Sequence, residues 1–174
     1  MSQALPQNFR QLLAALPATF RQAVVESLLS DKEAKSAAQE AMQTLASLRK
    51  MRPQTIAQLS RADRTKLFLS SLGLAALETS VMQCFQVWFL RHGRDLMGSM
   101  LDAWKVPHTQ GELADDADIP SVEASAVEAA AEEAVKTFPR EAVAAYLGYN
   151  HLAPATASWE GKFASALAKQ LQTA

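Results

Sequence analysis

Apolar positions along the 174-residue chain recur at spacings of three and four, and proline and glycine cut that pattern into pieces of ordinary helical length. About eight helices are expected. A short repeat opens the chain: Leu5-Pro6-Gln7-Asn8-Phe9-Arg10-Gln11 returns eleven residues later as Leu16-Pro17-Ala18-Thr19-Phe20-Arg21-Gln22. Proline suits a first helical turn, where its missing N–H would have had no partner, so each copy predicts a short helix with Phe9 or Phe20 turned inward. Two copies make a hairpin and fall short of a solenoid array.

A capping-box pattern at Ser30 and Glu33 predicts a third helix running to about Arg52, ahead of Pro53. Within it Ala34, Ala38, Ala41, Leu45 and Leu48 form a narrow seam whose alanines permit close helix approach, inside the molecule or against a second copy. A second box, Ser60 to Asp63, predicts a helix that buries Leu67, Phe68, Ser71 and Leu72 and ends near Gly73. The segment from about 75 to 92 places Leu77, Val81, Phe85, Trp88 and His92 on one face, widened by Met82, Cys84 and Phe89, so it is expected as a central buried helix. Gly93 and Gly98 weaken a helix that continues to Pro107. An acidic loop at about 108–120 follows, then an Ala/Glu helix to Phe138, a short helix from Pro139 closed by Gly148, and a last helix. Trp159, Phe163, Ala166, Leu167 and Leu171 lie on one face of that last element, which is stable only when docked.

Composition strengthens the helical reading. The chain holds 33 Ala and 22 Leu against 9 Val and 2 Ile, the reverse of what a sheet needs. The expected fold is therefore all-α, with orthogonal or mixed packing around the central helix. A single domain covers 1–174, and the acidic loop is where it would divide into N-terminal and C-terminal subdomains. The longest apolar run, Val81 to Leu90, is interrupted by Gln83 and Gln86 and is too short to span a bilayer of roughly 20 apolar residues. One cysteine, Cys84, cannot form an internal disulfide, and the first ten residues lack the basic and apolar regions of a signal peptide, so a cytoplasmic location is expected.

Catalytic candidates are few. His92 stands where the central apolar run ends, beside Trp88, Arg91, Arg94 and Asp95, and these five residues form the candidate small-molecule site, because neighbouring charges shift an imidazole or hold an anion. The simpler reading is a histidine hydrogen-bonded at a core margin. His108 and Glu112 have the i,i+4 spacing of a metal pair, but Pro107 and Gly111 argue for loop there, and no metal or other cofactor is expected. Cys84 lies amid apolar residues as an inert core thiol. No phosphate-binding glycine motif and no nucleophile elbow is present.

Charge divides the chain more sharply than its net −1 suggests. Residues 1–70 carry 10 Lys and Arg against 5 Asp and Glu, whereas 112–133 carry 8 acids and no base. Arg49, Lys50, Arg52, Arg61, Arg64 and Lys66 form the candidate basic patch, and Asp115, Asp116 and Asp118 the acidic one. Such patches solvate two surfaces, face each other, or meet a partner or a second copy. Thr55 to Ala62 resembles the opening of a helix-turn-helix nucleic-acid reader, with these cations near it to meet phosphates. No glycine follows at the turn, and a sequence pI near 6.3 is far from the basic footprint of such domains. The leading expectation is a non-catalytic helical interaction protein, an adaptor or small regulatory subunit. A ligand-binding or enzymatic helical domain with its site near His92 comes second, and a nucleic-acid-binding regulator third. No membrane partner is expected.

Overall fold

A computed structural model describes residues 4–113 and 118–172, and within them the chain is all helix and turn with no strand. Ten α-helices replace the eight expected: α1 (Phe9–Ala15), α2 (Ala18–Ser30), α3 (Lys35–Leu48), α4 (Pro53–Gln58), α5 (Arg61–Leu69), α6 (Glu78–His92), α7 (Arg94–Ala103), α8 (Ala124–Ala134), α9 (Arg140–Leu152) and α10 (Ala164–Gln172). Short 3-10 turns at Ala75–Leu77 and Ala157–Trp159 precede α6 and α10. No helix among these residues is long and apolar enough to cross a membrane. Internal contacts cluster into two compact units, one formed by 8–91 and the other by 92–174 together with the residues up to Gln7.

In the first unit, α2 packs on α3 and α5, and α3 packs on α4. Phe9 and Phe20 both turn inward as the repeat predicts. Their helices start differently, however. Pro17 is the residue before α2, whereas α1 is capped by Asn8, whose side-chain oxygen accepts from the Gln11 N–H at 2.9 Å. A distant carboxylate completes the α1 cap: Glu78 Oε1 accepts from the Phe9 N–H at 2.6 Å, and Oε2 accepts from Arg10 Nε at 3.1 Å. Aromatic rings fill the space behind, with Phe85 between Phe9 and Phe89 at centroid distances of 6.2 and 6.3 Å.

The two capping boxes have different outcomes. Ser60 caps α5 as expected, accepting from the Asp63 N–H at 3.1 Å. Ser30 instead closes α2 by donating to the Glu26 carbonyl, and Asp31 takes the turn into α3, its Oδ1 accepting from the N–H groups of Glu33 and Ala34 at 2.7 and 2.9 Å. At its other end α3 stops at Leu48, short of Arg52, because Lys50 adopts a left-handed φ of 52° and the Met51 N–H returns to the Ala46 carbonyl at 2.9 Å. Lys105 closes α7 in the same way, with φ 58° and a Val106 N–H to Leu101 carbonyl bond of 2.9 Å. Both ends are Schellman motifs with lysine where glycine is usual.

The α6 face is shifted from the expected one. Leu77, Ser80, Val81, Cys84, Phe85 and Phe89 are buried, Trp88 and Met82 are half-buried, and His92 is exposed. In the second unit, α9 and α10 pack on each other, α8 contacts α7 and α10, and α7 also touches α9. Gly148 does not end α9. It lies buried inside a helix that continues to Leu152. The last amphipathic face is as expected, with Trp159, Phe163, Ala166, Leu167 and Leu171 all buried.

Candidate functional site

The five residues proposed around His92 fall into separate environments. Trp88 belongs to the first unit, where its ring packs edge-on against Phe20 and Phe89 at 4.8 and 5.4 Å. Arg91 ends the same unit and ties the end of α6 to the α2–α3 connection: Nε pairs with Asp31 Oδ2 and the terminal amino group with Glu33. Its guanidinium is thereby engaged within the protein. Asp31 is correspondingly acidic, held at a pKa of about 2 by the Arg91 hydrogen bond first and the Ala34 N–H second. Because the folded-state value lies below the ordinary carboxylate value of 3.8, this pairing stabilises fully above about pH 4 and is lost as pH falls toward 2. Asp31→Asn should therefore flatten the loss of stability between pH 4 and 2, read as denaturation midpoints for both proteins; parallel curves would show that the pair contributes nothing.

His92, Arg94 and Asp95 belong to the second unit. Arg94 pairs with Glu112 at 2.7 Å and donates to the Gln110 side chain at 3.2 Å. Arg94 and Asp95 line a cleft of about 660 Å³ with Gly98, Ser99, Asp102 and Gly111. That cleft is shaped by a tight turn. Thr109 and Glu112 exchange backbone hydrogen bonds of 2.8 and 3.0 Å around Gln110 and Gly111, both at positive φ, which is a type I′ hairpin turn. His108 anchors the turn to α7. Its Nδ1 accepts from the Gly111 N–H at 3.0 Å, which leaves the proton on Nε2 to donate to Asp102 at 3.1 Å. With both ring nitrogens engaged, this histidine offers no base to a substrate. His108 and Glu112 lie in the turn that Pro107 and Gly111 predict, and each has another partner, Asp102 for His108 and Arg94 for Glu112. Among the described residues no three His, Cys, Asp or Glu side chains come together as metal ligands.

Cys84 is fully buried, and desolvation pushes its thiol far above the ordinary range. Tyr146 is raised by burial in the same manner.

The basic patch lies wholly in the first unit, on the end of α3, on α5 and in the turn before α4. Arg49 donates to Ser71 Oγ at 2.8 and 3.0 Å and to the Ser70 carbonyl at 3.0 Å. Lys50, Arg52, Arg61 and Lys66 are exposed, and Arg64 is half-buried. None of these six forms an ion pair among the described residues. The acidic residues of α8 and its approach behave differently: Glu123 pairs with Lys162 at 3.5 Å, Glu133 with Lys136 at 2.5 Å, and Glu132 with Lys169, which lowers the Glu132 pKa and raises that of Lys169. Of the acidic patch, Asp118 is exposed, while Asp115 and Asp116 lie outside the described residues.

Arg64 also lines an open groove of about 500 Å³ between α3, α4 and the ends of α2 and α5, floored by Leu29, Ala38, Met42 and Ile56. Nothing in the sequence pattern announced this groove. Ala38 belongs to the predicted seam, of which only Ala41 and Leu45 are buried, while Leu48 is 39% exposed. No protein-family model matches the chain, no curated protein matches it, and no solved structure matches its fold.

Proposed function

We propose that the chain is a non-catalytic helical interaction protein whose first unit presents a cationic face to an acidic partner. The observation that carries this reading is the set of six cations between Arg49 and Lys66, none of which forms an ion pair among the described residues. Exposed unpaired charge of one sign raises the rate of encounter with the opposite sign and disfavours like-charged partners. The acids of the second unit are in part already paired, so cationic and anionic faces are unequal in what they still offer.

The small-molecule reading keeps the cleft beside Arg94 and Asp95. Arg94 is ion-paired there and both nitrogens of His108 are occupied, which leaves Asp95 as the carboxylate of the cleft lining without an ion pair among the described residues. A nucleic acid would meet the same cations as a protein partner, but Arg64 Nε is enclosed, which leaves Arg61 and Lys66 as the exposed cations of α5.

Affinity capture from the source cells, with mass spectrometry at low and high salt, tests the reading. Wild-type protein should recover an acidic protein partner at low salt, and the Arg61→Glu/Lys66→Glu variant should recover about tenfold less, as should the wild type near 0.5 M salt. Equal recovery by variant and wild type at both salt concentrations, or recovery of nucleic acid in place of protein, would contradict it.

A further inference from the structure

We infer that the groove between α3 and α4 takes the apolar face of an acidic amphipathic helix from the partner protein. This rests on the cationic-face reading and adds to it a seat for apolar side chains. Along α3 the groove follows Lys35, Ala38, Gln39, Met42 and Gln43, a single stripe spaced 3, 1, 3 and 1. Such a stripe covers about 12 Å of helix at 1.5 Å per residue, the length over which a partner helix presents two or three turns. The groove's volume of about 500 Å³ accommodates one row of side chains and leaves the rest of such a helix outside it. Ala38 keeps the floor low, in the way that small residues allow close helix approach.

Charge selects the occupant. Lys35 and Arg64 line the groove, Lys32, Arg52 and Arg61 stand exposed in the same unit, and none of the five has an ion pair among the described residues. Asp31, the acid of the groove lining, is already matched by Arg91. Arg64 Nε is enclosed and donates to nothing. The guanidinium is only half-buried and lines the groove without an ion pair among the described residues, so a carboxylate brought by the occupant would pair with its accessible nitrogens. A nucleic acid would satisfy the cations but has no use for a floor of Leu29, Ala38, Met42 and Ile56.

Display selection on the purified full chain tests the inference, using a library of random helix-forming peptides of about 15 residues, near the length at which a helix holds together. Enriched peptides should carry Leu, Ile, Phe or Met at i, i+3 or i+4, flanked by Asp and Glu. Synthetic copies should lose at least tenfold in affinity on Ala38→Trp, which fills the groove, and on Arg64→Met, which removes the guanidinium that lines it. No enrichment, enrichment of neutral or basic peptides, or binding indifferent to both variants would overturn it. So would a concentration-dependent dimer of the chain that Ala38→Trp abolishes, since the groove would then serve a second copy. If Arg61→Glu/Lys66→Glu abolishes partner capture while Ala38→Trp and Arg64→Met leave it intact, the cationic face stands and the groove falls. If the groove variants alone abolish peptide binding and capture is indifferent to charge reversal, the cationic-face reading fails instead.

Discussion

Trp159→Ala should destabilise the protein by about 4 kcal/mol, the range for emptying a buried tryptophan site. Trp159 is fully buried and shares its surroundings with Trp104 and Phe163, both at a ring-centroid distance of 5.6 Å. Trp104 in turn stacks on Tyr146 at 6.0 Å and meets Phe163 edge-on at 5.4 Å, so four rings contribute to one cluster drawn from α7, α9 and the approach to α10. The indole Nε1 also donates to the Pro120 carbonyl at 2.9 Å, linking the segment before α8 to that cluster. Alanine removes ring contacts and hydrogen bond together. Denaturation followed by helical circular dichroism should show a melting temperature about 10 °C lower, from roughly 2–4 °C per kcal/mol at this chain length. A shift below about 2 °C would mean that the cluster contributes far less than its burial implies.

Gly111→Ala should cost about 3 kcal/mol, from left-handed backbone strain and overlap acting together. Gly111 has φ +82°, and a Cβ there would lie 2.8 Å from Met97 Cβ, 2.9 Å from the Arg94 carbonyl and 3.2 Å from the Gly98 nitrogen. Two of those three atoms are backbone of α7 and cannot swing aside. The 108–112 turn must therefore lift, breaking the Gly111 N–H to His108 Nδ1 bond and loosening the Arg94–Glu112 pair. Chemical denaturation gives the magnitude, and the His108 ring resonances in an NMR spectrum report the turn. A variant of wild-type stability with unchanged His108 resonances would show that the turn tolerates a side chain.

What sequence reasoning could see depended on how far apart the cooperating residues lie. The last amphipathic face was readable because its five apolar residues are local and periodic, and the Ser60 cap because both of its groups lie within one turn. The ends of α3 and α7 were not, since lysine holds the left-handed position that glycine would have flagged. The Ser30 box misled because Asp31, one residue later, competes for the same N–H groups and has Arg91, sixty residues away, to hold it. The α1 cap by Glu78 and the His108–Asp102 link are of the same long-range or loop-to-helix kind.

The candidate sites divide along the same line. The cationic patch could be counted directly, and its exposure follows from polar positions of α5 at Arg61 and Lys66 and from the turn between α3 and α4 at Lys50 and Arg52. The cluster around His92 was inferred from adjacency in the chain, which says nothing of where a guanidinium ends. Arg91 turns to Asp31 and Glu33, and Arg94 to Glu112. The groove needed α2, α3, α4 and α5 assembled before Arg64 could be seen to lie in its wall.

Zero-length cross-linking of the captured complex tests the cationic face most directly. Carbodiimide joins an amine to a carboxylate only where they touch, so partner Asp or Glu residues should be linked to Lys35, Lys50 or Lys66. Links confined to Lys105, Lys136, Lys162 or Lys169 of the second unit would contradict the account.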